Sequence, residues 1–383
     1  MSVVAISTTT RAEWGLLRPF GDALQEAGVE VRVIVSGTHL SKDHGLTIRE
    51  VQDSGLPIDA EIPILAVGDD AKAEAHTMSN ALVGYSEYFE RKRPDALLLL
   101  GDRYETLGVA EAAFLARIPI FHIHGGEVTE GAIDDAIRHC ITKLSTLHFT
   151  STEEYRNRVI QLGEDPSTVF NVGAVGIENA LNTNLLSDVE LSESLGVDLS
   201  RSYAVLTYHP VTLAHEDPIE KLEQLLLAVR ERQDILFIAT KANADAGGGA
   251  INDALKKFAD SNENFVLFDS LGSLRYLSAL SQAEFVIGNS SSGLLEAPAF
   301  YIPTINIGPR QKGRTRTKSV IDCSEDAQSI SCAIDKALDP VFRNSIKEMD
   351  NPYGLGGTSK KSAAIITQVL RHPIKLQKGF YDL

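Results

Sequence analysis

Cysteine is scarce in this 383-residue chain, with only Cys140, Cys323 and Cys332. Three scattered thiols cannot form a disulfide framework, which excludes the small disulfide-stapled class and agrees with a reducing compartment. Long apolar runs are also missing. No stretch approaches the roughly 18 apolar residues of a membrane helix, and the apolar start from Val3 to Ile6 is too short for a signal peptide. A cytoplasmic protein is expected. Positive charge is in deficit: 36 Lys and Arg stand against 52 Asp and Glu, for a formal net charge of -16. Such a surface repels nucleic acid and acidic membranes, and no cluster of basic residues reverses the argument. Internal repeats and compositionally biased segments are absent as well.

What is present is an ordinary globular composition, 43% hydrophobic and 23% charged, which is enough to bury a full core. The length exceeds the roughly 250 to 300 residues at which one core stops growing, so two domains with a cleft between them are expected. Short apolar runs alternate with amphipathic ones: VVAIS, VEVRVIV, DALLLL, IPIFHI and LHFT, with helix patterns starting near Tyr104 and at Ile133. The rhythm restarts with YAVLTY and continues through DILFIAT, NFVLF, AEFVI and PTINI. This is the pattern of two successive doubly wound α/β sheets. The domains are placed at 1–175 and 176–355. A closing helix lies in 356–383, from about Thr358 to Leu370, and is expected to pack back on the first domain.

Ligands of open α/β sheets sit beyond the carboxyl ends of the strands, so the residues after each apolar run are the candidates. In the first domain these segments are TTTRAEWG with Arg11, SGTHL with His39, GDRYE and HIHGGE; in the second they are HPVT with His209, TKANADAGGG with Asn243, GNSSSG and GPRQKGR. GNSSSGLLE places Ser290, Ser291 and Ser292 at the start of an expected helix, where amides, hydroxyls and the helix dipole favour a phosphate. A serine cap with no ligand fits the same letters. Arg310, Lys312, Arg314 and Arg316 form a basic loop able to neutralise a pyrophosphate, or simply a solvated run. The loop fails the phosphate-loop pattern because Arg314 stands where lysine belongs, and no G-x-G-x-x-G follows the first strand.

The densest stretch is HIHGGEVTEGAIDDAIRH, His122 to His139, with three histidines, four carboxylates, three glycines and one arginine. If IPIFHIH is strand, His122 and His124 point to one side, and Gly125 and Gly126 allow a tight turn. Helical spacing sets Asp134 one turn from Arg138 and Asp135 one turn from His139. GDRYE adds Asp102 beside Arg103, either as an acid/base group at the lip of the sheet or as a structural ion pair. His122, His124 and Glu127 have the right types for a metal but not the spacing of known zinc motifs, and the G-x-S-x-G of a serine hydrolase is absent. Acid/base chemistry by carboxylates and histidines remains.

These segments, in this order, resemble the hydrolysing UDP-N-acetylglucosamine 2-epimerases of sialic and legionaminic acid synthesis. The likeness runs through TTTRAEWGLL, GTHLS, GDRYETL, HIHGGEVTEGAIDDAIRH, YHPVT, NADAGG, GNSSSGLLE and NIGPRQKGR. The resemblance implies two Rossmann-like domains facing across a cleft, as in B-type glycosyltransferases, and a homodimer or homotetramer. It implies elimination of UDP from UDP-N-acetylglucosamine through a 2-acetamidoglucal, then hydration to N-acetylmannosamine, with no metal or nicotinamide cofactor. Asp102 and Asp134 match acid/base positions; Arg103, Asp135, Arg138 and His139 would line or orient the site. His209, Ser290, Ser291, Glu296 and Arg310 match nucleotide contacts.

One departure stands out. Some members read HIEGGE where this chain reads HIHGGE, so His124 replaces a family glutamate, and one additional residue before Ile133 blurs the alignment of Glu127 and Glu130. Either His124 takes over proton transfer or Glu127 reaches into the space. The rival substrates are UDP-2,4-diacetamido-2,4,6-trideoxyhexose or a GDP-linked analogue. A glycosyltransferase, a non-hydrolysing epimerase and a nucleotide-sugar sensor are the more distant alternatives.

Overall fold

The computed structural model describes residues 1–42, 44–68, 70–129, 133–210, 218–242 and 248–383. Asn243 and Glu130 lie outside the described residues. The chain divides into two compact units: the first joins Met1–Glu127, Ile133–Glu178 and Gly356–Leu383, and the bulk of the second is Asn179–Leu355.

The first unit runs β1 (Val3–Thr8), α1 (Arg11–Glu26), β2 (Glu30–Ser36), α2 (Ile48–Gln52), β3 (Ile58–Ile62), α3 (Ala71–Arg91) and β4 (Ala96–Leu100). It continues through α4 (Tyr104–Leu115), β5 (Ile120–Ile123), α5 (Ile133–Leu144), β6 (Leu147–Thr150), α6 (Glu153–Gln161) and β7 (Val169–Asn171), and α7 (Val175–Asn182) follows. The strands pair in parallel in the order β3-β2-β1-β4-β5-β6-β7. Strands covered on both faces are continuously apolar. All of Ala96–Leu100 is buried, with Leu98 and Leu100 in one core cluster and Leu97 and Leu99 in the other.

Helix α1 begins where Thr10 and Glu13 form a reciprocal capping box, and it buries Leu17, Phe20 and Leu24 at helical spacing against the sheet. Gly108 lets α4 press against α3, because a Cβ there would lie 2.6 Å from the Met78 carbonyl oxygen.

The second unit runs α8 (Asp188–Leu195), β8 (Tyr203–Thr207), α9 (Pro218–Glu231), β9 (Leu236–Thr240), α10 (Gly248–Ala259), β10 (Phe265–Phe268) and α11 (Gly272–Gln282). Then come β11 (Val286–Gly288), α12 (Ser292–Leu295), β12 (Thr304–Ile307), β13 (Val320–Cys323), α13 (Ala327–Leu338) and α14 (Pro340–Ser345). Its parallel order is β10-β9-β8-β11-β12-β13. Both sheets therefore reverse direction beside their first strand, between β1 and β4 and between β8 and β11. That is where doubly wound folds bind ligands.

Helix α15 (Thr358–Val369) returns to the first unit. Thr358 Oγ1 donates to the Val172 carbonyl, Ser359 donates from N and Oγ to the two Glu178 oxygens, and Ala363 and Ile366 enter the core against α1. The tail beyond it is also tied down. Lys378 Nζ donates to Ser145 O (2.6 Å) and Glu164 Oε2 (2.7 Å), and Tyr381 N donates to Gly163 O (3.0 Å). Burial would raise the Glu164 carboxyl, but bonds from His148, Lys143 and Lys378 outweigh it and hold it down at about 2. No helix among the described residues is long and apolar enough to cross a membrane.

Candidate active site

At the carboxyl edge of the first sheet, β4 is followed by Gly101, whose left-handed φ of 82° turns the chain so that Asp102 and Arg103 precede α4. The buried hub here is Arg138 on α5, only 1% exposed. Its Nε donates to Asp102 Oδ2 at 2.9 Å, one Nη makes a second, shorter contact to the same oxygen, and the other reaches Glu127 O (2.6 Å) and Asp135 Oδ1 (3.2 Å). Burial acts to lower the Arg138 pKa; Asp102, Glu127 and Asp135 more than offset it and the group stays charged. Asp102, Asp135 and Arg138 are thus brought together. Asp134 occupies the first turn of α5 and is half-buried. His139 Nε2 lies 3.5 Å from Asp135 Oδ2, and burial lowers its pKa despite that carboxylate.

The two histidines of HIHGGE do not share a side. β5 stops at Ile123, and His124 takes φ 67°, a left-handed value that breaks the strand alternation. His122 is fully buried, with Nε2 2.8 Å from Gly101 O and Nδ1 3.3 Å from Thr142 Oγ1. A carbonyl only accepts, so Nε2 carries the hydrogen and the ring is neutral; burial pushes its pKa down to about 3. This histidine is a structural tie between β4, β5 and α5. His124 instead lies by Glu127, with Nδ1 3.6 Å from Oε1, and its buried Nε2 has no partner among the described residues. Glu127 Oε1 also accepts from Ser151 Oγ at 2.9 Å. Gly126 fits because a side chain there would collide with the Tyr155 carbonyl.

Arg11, at the start of α1, is largely exposed and pairs with Glu50 at 2.9 Å. His39 is buried between Thr8 Oγ1 (3.0 Å) and Thr47 Oγ1 (2.9 Å), and burial lowers its pKa to about 4, so it is a neutral ring. Arg103 pairs with the buried Glu105.

At the corresponding edge of the second sheet, His209 follows β8. Its amide donates to Asn289 Oδ1 and its carbonyl accepts from Asn289 Nδ2, both at 2.8 Å. Asn289 O in turn accepts from Arg310 Nη1 (3.1 Å) and Gln311 Nε2 (2.8 Å). Asn289 thereby ties His209, the serine segment and the basic loop into one cluster. Sequence reasoning quoted this asparagine inside GNSSSG without singling it out; its position straight after a strand was the available signal.

The helix expected after the serines is shorter than anticipated. α12 spans only Ser292–Leu295, Ser291 makes no side-chain cap bond, and the chain passes into a 3-10 turn at Ala297–Phe300. Pro298 has no N–H to continue the helix. So short a turn has little dipole, and an anion here would be held by serine groups and the nearby Arg310 instead. Ser292 Oγ accepts from Tyr276 Oη at 2.8 Å, while burial raises the Glu296 carboxyl.

A sequence model of the family described as UDP-N-acetylglucosamine 2-epimerase matches residues 22–367. The chain belongs to this family. Among the epimerase relatives, the GDP/UDP-N,N'-diacetylbacillosamine 2-epimerase (hydrolyzing) of Campylobacter jejuni is 40% identical over 99% of both chains. The Polysialic acid biosynthesis protein P7 of Escherichia coli is 38% identical over 100% of this chain and 98% of its own. The solved Neisseria meningitidis UDP-GlcNAc 2-epimerase bound to UDP-GlcNAc covers 97% of this chain and 100% of its own, with a TM-score of 0.82 at 18% identity. That likeness establishes the fold: two Rossmann-like units of the B-type glycosyltransferase kind.

Proposed function

We propose that the protein is a hydrolysing 2-epimerase whose substrate is a nucleoside-diphosphate-linked 2-acetamido sugar. A carboxylate of the first unit removes the C2 proton as the bond from C1 to the diphosphate oxygen breaks, leaving a 2-acetamidoglucal. Water then delivers hydroxyl to C1 and a proton returns to C2 on the opposite face. The observation that carries this reading is the Arg138 hub. Both guanidinium contacts to Asp102 fall on Oδ2, so the carboxylate is fixed at one oxygen while Oδ1 remains for the substrate proton. Asp134 is the second acid/base group, with His124 and Glu127 as the pair that relays or returns a proton.

His209, Ser290, Ser291, Ser292, Glu296 and Arg310 bind the nucleotide in this reading, the serines and the arginine on phosphate oxygens and Glu296 on ribose hydroxyls. Asp135, His139, Arg103, Arg11 and His39 line or orient the sugar end, and Asn243 belongs to the nucleotide side. Stabilising the diphosphate as it departs is the electrostatic part of the chemistry.

The sugar is proposed to be 2,4-diacetamido-2,4,6-trideoxyhexose, supported by the 40% identity to the Campylobacter jejuni enzyme. UDP-N-acetylglucosamine is the second reading, supported by the description of the matching family and by 30% identity over the whole chain to the UDP-N-acetylglucosamine 2-epimerase of Neisseria meningitidis serogroup B. Incubation with UDP-N-acetylglucosamine and with the UDP- and GDP-linked diacetamido sugars, followed by product analysis, tests both. Free 2-epimerised sugar plus nucleoside diphosphate is the expected result. Return of a nucleotide-linked product, transfer to an acceptor, or binding without C2 deuterium exchange would each overturn it. Asp102→Asn should retain nucleotide affinity and lose turnover by about 100-fold or more.

A further inference from the structure

Two glutamates used by none of the steps above meet at the point where the first sheet reverses. Glu13 lies in the first turn of α1, directly after β1, and Glu105 in the first turn of α4, directly after the neighbouring β4. Acids in a first helical turn are ordinarily solvated capping groups. These two are sealed in, Glu13 being 7% exposed and Glu105 only 1%.

Their surroundings do not supply enough donors for two ionised carboxylates. Glu13 Oε2 accepts from Thr9 N (2.7 Å), Thr9 Oγ1 (2.8 Å) and Thr10 N (3.3 Å), and Glu105 Oε1 accepts from Arg103 Nε at 2.6 Å. Thr9 Oγ1, with one hydrogen, is 3.2 Å from Glu105 Oε1 as well and so bridges the pair. The remaining oxygens, Glu13 Oε1 and Glu105 Oε2, are buried and have no partner among the described residues. An ionised oxygen in that condition is costly, and two beside each other more so. The facing cation is Arg103. The other titratable groups nearby are Tyr85 of α3, bonded to Ser7 and Ser36 and neutral with its pKa pushed up to about 12, and Tyr104. One bound proton balances this set. Burial, followed by the charge of Glu105 and against the Thr9 amide bond, raises Glu13 to about 7.

We propose that Glu13 holds a proton at the β1/β4 switch point and, with Glu105, acts as the positioning device for Arg103, the cation next to Asp102. The inference rests on the proposed reaction, in which Arg103 lines the sugar end of an anionic, diphosphate-linked substrate. Arg103 spends Nε on Glu105, its side chain is 43% exposed, and neither Nη makes a hydrogen bond among the described residues. It is therefore anchored at one end and open at the other, as a residue that grips a diphosphate-linked sugar must be. Losing the Glu13 proton adds a further negative charge near Arg103 and weakens its hold on an anion. The effect belongs to substrate capture, so it appears in KM more than in kcat.

The test combines a titration and a kinetic split. In the intact protein labelled with 13C at the glutamate carboxyls, with E13Q assigning the signal, Glu13 should take up its proton near neutral pH. For the nucleotide sugar that is turned over, KM should rise about tenfold between roughly pH 7 and pH 8 with kcat little changed. E13Q carries an uncharged amide in place of the acid and should lose that rise while staying within about threefold of the parent near pH 6; E105Q should raise KM about tenfold or more at every pH. A Glu13 signal that titrates in the usual glutamate range overturns the proposal, as does an E13Q enzyme that keeps the alkaline rise. Should E13Q fail to fold, the alkaline rise of KM in the unmodified protein decides, and its absence overturns the proposal. If no nucleotide sugar is turned over, the proposed function fails while the titration still reads the Glu13 proton.

Discussion

Replacing Arg138 by methionine removes a guanidinium that is buried among three acceptors: Asp102 Oδ2, Asp135 Oδ1 and the Glu127 carbonyl. Methionine fills much of the volume, so the loss is electrostatic. Stripping one partner from a buried ion pair costs about 3–5 kcal/mol. Asp102 and Asp135 are 28% and 32% exposed, and water recovers part of their share, which places the estimate near the lower end, about 3 kcal/mol. The first unit contains roughly 200 residues, for which each kcal/mol moves the midpoint about 2–4 °C, so Tm should fall by about 6–12 °C. The chain's single tryptophan makes this measurable in the right place. Trp14 is buried in α1 of the first unit and donates to Glu50 O at 3.3 Å, so its fluorescence follows this unit on heating. Adding Asp102→Asn to Arg138→Met should cost less than the sum of the two changes, because the neutral amide no longer needs the cation. A midpoint shift under about 2 °C, or strict additivity of the pair, would refute the hub as drawn.

Other outcomes follow from the same geometry. His122 is held neutral, with a folded pKa of about 3 against 6.5 unfolded; the unfolded chain binds more protons in that window, so stability complete above pH 6.5 is lost on acidification. His122→Gln should flatten this slope by up to about 1.4 kcal/mol per pH unit, read by urea unfolding at several pH values, and an unchanged slope would count against it. Arg310→Ala should weaken binding of the nucleoside diphosphate about 10- to 100-fold in calorimetry while kcat moves little; unaltered affinity would remove Arg310 from the nucleotide site. His124→Ala should lower turnover about 100-fold and His124→Glu should recover most of it, whereas equal losses would take the proton role away from this position.

Most strands legible in the sequence are buried ones, although NFVLF, the partly covered edge strand β10, is apolar enough to be read as well. DALLLL, IPIFHI and YAVLTY became β4, β5 and β8, because a strand covered on both faces must be apolar throughout. The edge strands β3, reading IDAEI, and β13, reading VIDC, escaped notice because a half-exposed edge carries no such run. Helical spacing correctly joined Asp135 with His139, yet it could not show that Arg138 reaches back to Asp102 across 36 residues. Alternation failed at His124, since a left-handed residue after the strand end leaves no mark in the pattern of letters. Nothing in the letters around Glu13 and Glu105 marks these first-turn acids as buried. Their burial is set by how α1, α3 and α4 close over the sheet, which no local pattern encodes.

The first unit is finished by α15 and the tail that follows it, although the whole of Asn179–Leu355 intervenes in the chain. During synthesis the intervening unit leaves the ribosome before the piece its predecessor still lacks. Until then the groove beside α1 that receives Ala363 and Ile366 stays open, and Glu178 and Glu164 wait for Ser359 and Lys378. Nascent molecules thus pass through a stage with one complete body and one unsealed, and chaperone capture should concentrate on the older half of the polypeptide.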